Sequence, residues 1–168
     1  ETAGRYRFSD FSRDERKMNQ LFEAFIRNFY KIEQTRFHIV KSENIKWQLE
    51  STNEESLNYL PLMKTDITLI SDYSKMIIDA KYYKETLSIN FGTEKIKSNN
   101  LYQLFSYLLN QEDGTERNKF AKGILLYPTI QKEYNLAYQH RTHKIEIKTI
   151  NLNADWNHIS ERLHKIIA

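Results

Sequence analysis

Three residues in two short segments have the types and the spacing needed for metal-dependent chemistry. Asp79 and Lys81 lie two residues apart in a run of β-forming residues, and Asp66 lies in the run before it. The polar break at residues 71–74 between the two runs predicts a hairpin. If that hairpin closes symmetrically, Asp66 faces Asp79 across the strand pair. Lys81 then shares their face, because side chains alternate along a strand.

Two carboxylates that face each other repel unless a proton or a cation lies between them, and a divalent metal ion would remove this conflict. A small number of oxygen ligands with open positions suits Mg²⁺ or Mn²⁺, which also bind phosphate oxygens. The metal would polarise a phosphodiester, and Lys81 would orient or deprotonate the attacking water. We therefore predict phosphodiester hydrolysis, with Asp66, Asp79 and Lys81 as catalytic residues and the two aspartates as metal ligands.

An alternative interpretation is that Asp66 sits in a turn and that Asp79 and Lys81 form a solvated charged pair on a strand. An Asp-x-Lys pattern by itself favours this alternative, because charged pairs are common on protein surfaces. The opposed Asp66 and the apolar runs that flank these residues favour the catalytic interpretation instead.

The first half of the chain predicts one helix and then several strands around the hairpin. Ser12 and Glu15 form a capping-box pattern at the start of a helix predicted from about Asp14 to Tyr30. Strand patterns follow at 37–40 and then at Ile45, Trp47 and Leu49, with a polar loop at 51–58 and the hairpin strands at 63–70 and 75–83.

The second half predicts a helix, further strands and a last helix. Polar residues at 98–100 precede an apolar-periodic helix over 101–108, and the Asp113-Gly114 loop follows it. Strand patterns occupy 123–127, closed by Pro128, and 145–151, and the last helix begins near Asp155. This order predicts a single α/β domain, an α+β arrangement in which helices flank a mixed sheet.

The composition is that of one soluble globular domain. A chain of 168 residues, 40% hydrophobic and 28% charged, buries a single core. It has no cysteine, which excludes disulfides and thiolate metal sites and is easiest to reconcile with a cytoplasmic location. No apolar run approaches the length of a membrane span. The net charge of +3 permits a polyanionic partner without requiring one.

The segments that carry the predicted site also resemble a known family. Residues 63–69 (MKTDITL) and 77–83 (IIDAKYY) are similar to the nuclease domain of the McrC family of modification-dependent restriction subunits. Residues 18–25 (MNQLFEAF) match the first helix of that family, and residues 101–107 (LYQLFSY) match its next helix. The resemblance implies a restriction-endonuclease-like PD-(D/E)xK core. It also implies that residues 1–168 form one such nuclease domain, from the C-terminal portion of a larger McrC-like subunit.

This resemblance implies an activity, partners and further site residues. The activity is Mg²⁺- or Mn²⁺-dependent cleavage of DNA, in a restriction system whose other subunit is an AAA+ GTPase of the McrB type. Glu23 matches the family's helix acid and would reach the metal or its water, although an ordinary solvated glutamate explains it equally. Gln103 and Tyr107 are similar to a motif of RecB-like nucleases and would contact a phosphate or a base. A buried tyrosine with a satisfied hydroxyl explains Tyr107 nearly as well.

Two other functions share these residues. A RecB-like nuclease of DNA repair would use the same catalytic centre with a different partner. A non-catalytic DNA-binding or assembly module would keep a nuclease fold that has lost its activity. The intact Asp66, Asp79 and Lys81 argue against such a loss.

The segment 140–144 contains two histidines, an arginine and a lysine. We see no acidic partner nearby in the sequence, so a histidine metal site is not favoured. We predict a basic loop, either solvated or in contact with the DNA backbone.

Overall fold

The computed structural model describes residues 15–88 and 90–168. In these ranges four α-helices form: α1 (Glu15–Glu33), α2 (Ser98–Asn110), α3 (Glu116–Lys119) and α4 (Trp156–Ile166). The strands are β1 (Ile39–Lys41), β2 (Asn44–Ile45), β3 (Met63–Lys64), β4 (Ile67–Ile70), β5 (Lys75–Ala80), β6 (Lys122–Thr129), β7 (Asn135–His140) and β8 (His143–Asn151). Two 3₁₀ helices are formed by Glu54–Tyr59 and Lys84–Ser88.

The main sheet of the described residues is mixed and has six strands in the order β1-β4-β5-β6-β8-β7. The pairs β1–β4, β4–β5 and β7–β8 are antiparallel, whereas β6 pairs in parallel with both β5 and β8. Strands β2 and β3 form a separate antiparallel pair. The predicted α/β class, a mixed sheet flanked by helices, is confirmed.

The sheet separates two apolar cores, and the alternation of β5 places residues in each. Ile78 and Ala80 pack with α1 and α4, whereas Ile77 packs with α2 on the other face. Every residue of β5 is buried, because this central strand is covered on both faces. Asp79 shares the face of Ile77 and so lies on the side of α2.

The first predicted helix is present but differs at its ends. Ser12 and Asp14, which carry the predicted start, lie outside the described residues. The helix continues past the predicted end at Tyr30 to Glu33. The last helix was predicted closely, since Asp155 caps it and its side chain accepts a hydrogen bond from the His158 amide.

Four strand predictions need correction. The strand predicted at 75–83 ends at Ala80. The predicted strand at 63–70 breaks at Thr65, whose amide donates to the Glu43 carbonyl and whose hydroxyl bonds that of Thr68. The strand at 45–49 ends at Ile45, because the Trp47 indole turns to donate to the Pro61 carbonyl. Finally, β6 continues through Pro128. This strand pairs with β5 only as far as Leu126. Pro128, which has no amide hydrogen, therefore interrupts no hydrogen bond to β5.

Four elements were not predicted: the two 3₁₀ helices, of which Glu54–Tyr59 occupies most of the loop predicted at 51–58, one strand and one short helix. Strand β7 lies at the edge of the sheet and is exposed along most of its length, so it lacks the alternation that marks a half-buried strand. The short helix α3 has a single turn, capped by the side chain of Thr115. No helix of the described residues is long and apolar enough to cross a membrane.

Candidate active site

The β4–β5 hairpin has the predicted register. Ile67 lies opposite Ile78 and Ile70 lies opposite Lys75, so the four residues at 71–74 form the loop. Asp66 precedes β4 and therefore lies across from Asp79. The strand is interrupted at Asp66, and the bond to the Ala80 amide comes from its side chain instead of its backbone. Asp66 Oδ2 accepts this hydrogen bond at 2.9 Å. The hairpin thus brings the two predicted carboxylates together.

Helix α1 holds the backbone of Asp66 from the other side. Arg27 Nη1 donates a hydrogen bond of 3.0 Å to the Asp66 carbonyl oxygen. Because both the backbone and the side chain of Asp66 are bonded to neighbouring elements, this residue has a fixed position although it lies outside the strands.

Asp79 is fully buried and Lys81 lies beside it. The Lys81 Nζ atom is 2.9 Å from Asp79 Oδ1, and 15% of the Lys81 side chain is exposed. Within the described residues neither carboxylate oxygen of Asp79 has a well-oriented hydrogen bond. Burial alone lowers the pKa of Lys81, but the charges of Asp79 and Asp66 outweigh it and raise that pKa, so the ammonium stays charged.

The electrostatics of Asp66 reflect an excess of negative charge. Burial raises the pKa of Asp66 well above its usual range, and the neighbouring Asp79 carboxylate raises it further. The ammonium of Lys81 opposes these effects without cancelling them. In the protein without metal, the ionised form of Asp66 is therefore disfavoured, which is the conflict expected of facing carboxylates.

Glu23 of α1 faces the same place. Its Oε1 atom accepts a hydrogen bond of 2.6 Å from Asn19 Nδ2. Burial raises the pKa of Glu23, while the charge of Lys81 lowers it and that of Asp79 raises it. Glu23 is thus half-buried and within electrostatic reach of both residues, which a freely solvated helix glutamate would not be.

Gln103 and Tyr107 of α2 occupy different environments. The Tyr107 side chain is buried, and its hydroxyl donates a hydrogen bond of 2.8 Å to the Lys64 carbonyl. Burial raises the pKa of Tyr107, and the charges of Asp79 and Asp66 raise it further, so the ring lies close to the carboxylates. Gln103 hydrogen-bonds to Tyr107. Because Gln103 is exposed, its side chain is also accessible to a ligand.

The arrangement fits a divalent cation. The buried Asp79 oxygens lack well-oriented donors, Asp66 and Glu23 add two more carboxyls, and Lys81 supplies one positive charge. No three Asp, Glu or His side chains within 15–88 and 90–168 are placed to hold a metal by themselves. A cation between Asp66 and Asp79 would therefore complete its coordination with water and phosphate oxygens, as Mg²⁺ commonly does.

An open depression lies next to Lys81 and gives the site access to solvent. Its volume is about 390 Å³, and it is lined by Glu15, Arg16, Asn19, Lys81, Tyr82 and Tyr83. It lies between α1 and the residues that follow the end of β5.

Sequence reasoning missed two residues that hold this site, Asn19 and Arg27. Asn19 lies one helical turn before Glu23, and that spacing on a buried helix edge was the available signal. The contact of Arg27 with the Asp66 carbonyl spans 39 positions and had no local signal.

The segment 140–144 is not a loop along its whole length, and His143 within it is buried rather than solvated. His140 ends β7 and His143 begins β8, so the segment is a tight hairpin in which Arg141 has a positive φ of 52°. The buried His143 ring contacts the Ala121 carbonyl through Nδ1, and its Nε2 lies 2.5 Å from Glu112 Oε1. An acidic partner therefore exists, 31 positions away in sequence.

Comparison with known proteins agrees with the resemblance seen in the motifs. The family model of the McrBC 5-methylcytosine restriction system component matches residues 16–128, which contain all six predicted site residues. The chain is also 38% identical, over 163 residues, to the type IV methyl-directed restriction enzyme EcoKMcrBC of Escherichia coli strain K12. That alignment covers 97% of the chain and 46% of the relative, so the chain spans about half of the relative's length.

Proposed function

The chain belongs to the family of McrBC 5-methylcytosine restriction system components, as a member of the McrC type. From this membership and the site geometry, we propose that it is a metal-dependent endonuclease with a PD-(D/E)xK core that hydrolyses phosphodiester bonds in DNA. The observation that carries the proposal is the buried Asp79. Its carboxylate lies against a second carboxyl and one lysine without a well-oriented hydrogen bond.

The residues have distinct roles in the proposed reaction. Asp66 and Asp79 would hold Mg²⁺ or Mn²⁺, with Glu23 reaching the metal or a water bound to it. When bound, the metal supplies Lewis-acid polarisation of the scissile phosphate and lowers the pKa of a water. The Lys81 ammonium orients the attacking water and offsets the negative charge that develops on the phosphate.

Helix α2 would provide a contact with the DNA. The exposed side chain of Gln103, which also hydrogen-bonds to Tyr107, would contact a phosphate or a base, whereas the Tyr107 hydroxyl donates to the Lys64 carbonyl. We therefore assign Tyr107 mainly to the support of Gln103 and of the segment before Asp66. For Tyr107 the hydrogen bond to Lys64 favours the alternative of a buried tyrosine with a satisfied hydroxyl over a contact with DNA.

The proposed partners are DNA and an AAA+ GTPase of the McrB type. The chain carries no phosphate-binding loop of the G-x-x-x-x-G-K-[ST] pattern, and its four glycines are scattered. We therefore propose that recognition of modified DNA comes from the GTPase partner. Family membership favours restriction over the RecB-like repair function.

A plasmid-nicking assay with Mg²⁺ or Mn²⁺ tests the catalytic proposal. We expect the isolated chain to cut slowly, with little dependence on sequence or methylation, and Asp79→Asn to abolish the cutting. Addition of an McrB-type GTPase and GTP should convert the slow, unselective cutting by the wild-type chain into GTP-dependent cleavage of methylated plasmid. Salt must be fixed, because binding to the DNA backbone falls steeply with ionic strength.

The same assay separates the alternatives. A non-catalytic module would retard DNA in a gel without cutting it under any metal condition. Strong methyl-selective cutting by the isolated chain would show that it reads the modification itself, which contradicts the proposed division of roles.

A further inference from the structure

Three polar side chains form a stripe on α1, and this stripe lies along the segment that follows β5. Glu15, Asn19 and Glu23 are spaced four residues apart and so lie on one face of the helix. Glu15 Oε1 accepts a hydrogen bond of 2.9 Å from the Lys84 amide, and Asn19 Oδ1 accepts one of 2.8 Å from the Tyr82 amide. The stripe thus binds the backbone after β5, and its far end reaches the carboxylates.

Asn19 makes two different hydrogen bonds at once. Its oxygen accepts from the amide of Tyr82, the residue that follows Lys81, and its Nδ2 donates to Glu23 Oε1 at 2.6 Å. Both bonds together require a side chain with one donor and one acceptor on adjacent atoms, which is the carboxamide group.

The bond to Glu23 has a consequence for the site. A glutamate side chain has several rotatable bonds, and fixing it has an entropic cost. The hydrogen bond from Asn19 Nδ2 holds the Glu23 carboxyl in one orientation. Without that donor, the carboxylate would be free to turn away from Lys81 and Asp79 toward solvent.

We infer that Asn19 is a positioning residue that aims Glu23 at the metal site and couples it to the backbone of Lys81 and Tyr82. This inference rests on the proposed function, because it assigns Glu23 a role toward the bound metal. Asn19 itself acts through Glu23 and touches neither the metal nor the substrate. Outer-shell partners of this kind commonly change metal affinity or activity about 10- to 100-fold when removed.

A merely structural role for Asn19 is the competing explanation, since the bond to Tyr82 fastens α1 to the end of β5. The two roles are separable. Asn19→Asp keeps an acceptor for the Tyr82 amide but, when ionised, offers Glu23 no donor. Asn19→Ala removes both bonds. Asn28→Ala is the matched control, because Asn28 is exposed on the same helix and lines a different, apolar groove.

The experiment measures Mn²⁺ binding by titration calorimetry without DNA, and kcat for plasmid nicking at saturating Mn²⁺. We expect Asn19→Ala to raise the Mn²⁺ dissociation constant about 10-fold. Asn19→Asp should lower kcat by a similar factor, and both variants should keep the metal-free melting temperature close to that of Asn28→Ala. In a Glu23→Gln background, Asn19→Ala should change Mn²⁺ affinity by less than about 2-fold, because coupled residues are not additive.

Each remaining outcome overturns the inference. An Asn19→Ala protein that binds Mn²⁺ like Asn28→Ala would show that Glu23 needs no positioning. An Asn19→Ala effect that persists in full beside Glu23→Gln would show that Asn19 acts by another route. A loss of kcat in Asn19→Asp that follows a large drop in melting temperature would leave only the structural role. Wild-type protein that binds no Mn²⁺ would instead defeat the proposed function.

Discussion

Two buried carboxylates lie in central strands of the sheet, on opposite faces, and their surroundings differ in charge. Glu146 of β8 is 5% exposed and contacts three lysine ammonium groups: Lys122 at 2.8 Å, Lys148 at 2.9 Å and Lys144 at 3.0 Å. Asp79 of β5 contacts one lysine and faces a second carboxyl. The first cluster has more positive than negative charge, and the second has the reverse.

The pKa values follow this difference. Burial by itself raises the pKa of Glu146, but the three neighbouring lysine ammonium groups outweigh it and lower the pKa to about 2. At the other cluster, burial and Asp79 together raise the pKa of Asp66. The protein supplies all the counter-charge that Glu146 needs, whereas the Asp66–Asp79 pair is left for a ligand to neutralise. A buried carboxylate marks a functional site when its own protein leaves it uncompensated.

The largest expected effect is on cleavage. Asp79→Ala and Lys81→Ala should each lower the metal-dependent nicking rate by at least about 100-fold, because each removes a group that stabilises charge in the transition state. Glu146→Gln should leave the rate within about 2-fold of wild type, since its cluster lies on the other face of the sheet. Nicking rates at fixed Mg²⁺ and salt measure all three. A Glu146→Gln protein as inactive as Asp79→Ala would remove the functional distinction between the clusters.

The next effect is on folding stability, and the two clusters should respond with opposite signs. Glu146→Gln should reduce the free energy of unfolding by about 2–3 kcal/mol, because it leaves lysines beside a neutral amide; their partial exposure keeps the cost below that of a fully buried pair. Asp79→Asn should slightly stabilise the metal-free protein, because it relieves repulsion with Asp66. Urea unfolding in the presence of a chelator measures both. A large loss of stability in Asp79→Asn would contradict this prediction.

The next smaller effect is the stabilisation of the protein by a bound metal ion, which should depend on the Asp66–Asp79 cluster and not on the Glu146 cluster. At a metal concentration ten times the dissociation constant, binding to the native state stabilises it by about 1.4 kcal/mol. That corresponds to a rise in Tm of roughly 3–6 °C for a domain of this size. Glu146→Gln should keep this rise, and Asp66→Asn should lose most of it. Equal rises in wild type and Asp66→Asn, measured by thermal melts with and without Mn²⁺, would exclude Asp66 as a ligand.

The opposition of Asp66 and Asp79 could be predicted from the sequence because it depends on local geometry. A symmetric loop at 71–74 and the alternation of two adjacent strands are enough to oppose Asp66 and Asp79, and the observed register agrees. The break before β4 could not be predicted, because it depends on the bonds of Thr65 to Glu43, a contact across 22 positions.

The ion pairs of Glu146, in contrast, could not be predicted from the sequence. Lys144 and Lys148 are near Glu146 in sequence, but Lys122 reaches it only through the parallel pairing of β6 with β8. The contact of His143 with Glu112 likewise joins distant segments. A basic stretch therefore resembled a solvated loop in the sequence, because its acidic partners come from the fold rather than from neighbouring positions.

The smallest effect is the pH dependence of stability in the metal-free protein, and its sign differs between the clusters. The pKa of Asp66 is raised, so its contribution is fully present below its unfolded value of about 4 and is lost as the pH rises through the folded value. The pKa of Glu146 is lowered, so its contribution is present above about 4.5 and is lost as the pH falls toward 2.

Unfolding free energies measured with a chelator from pH 3 to pH 9 should resolve these two slopes. Asp66→Asn should flatten the decline on the alkaline side, because the amide keeps an acceptor for the Ala80 amide but does not titrate. A residual alkaline slope should remain from Glu23, whose pKa is also raised. Glu146→Gln should flatten the acid side and leave the alkaline side unchanged. If Asp66→Asn altered the acid limb instead, neighbouring groups would already compensate the charge of Asp66 in the metal-free protein, and no uncompensated negative charge would be left for a metal.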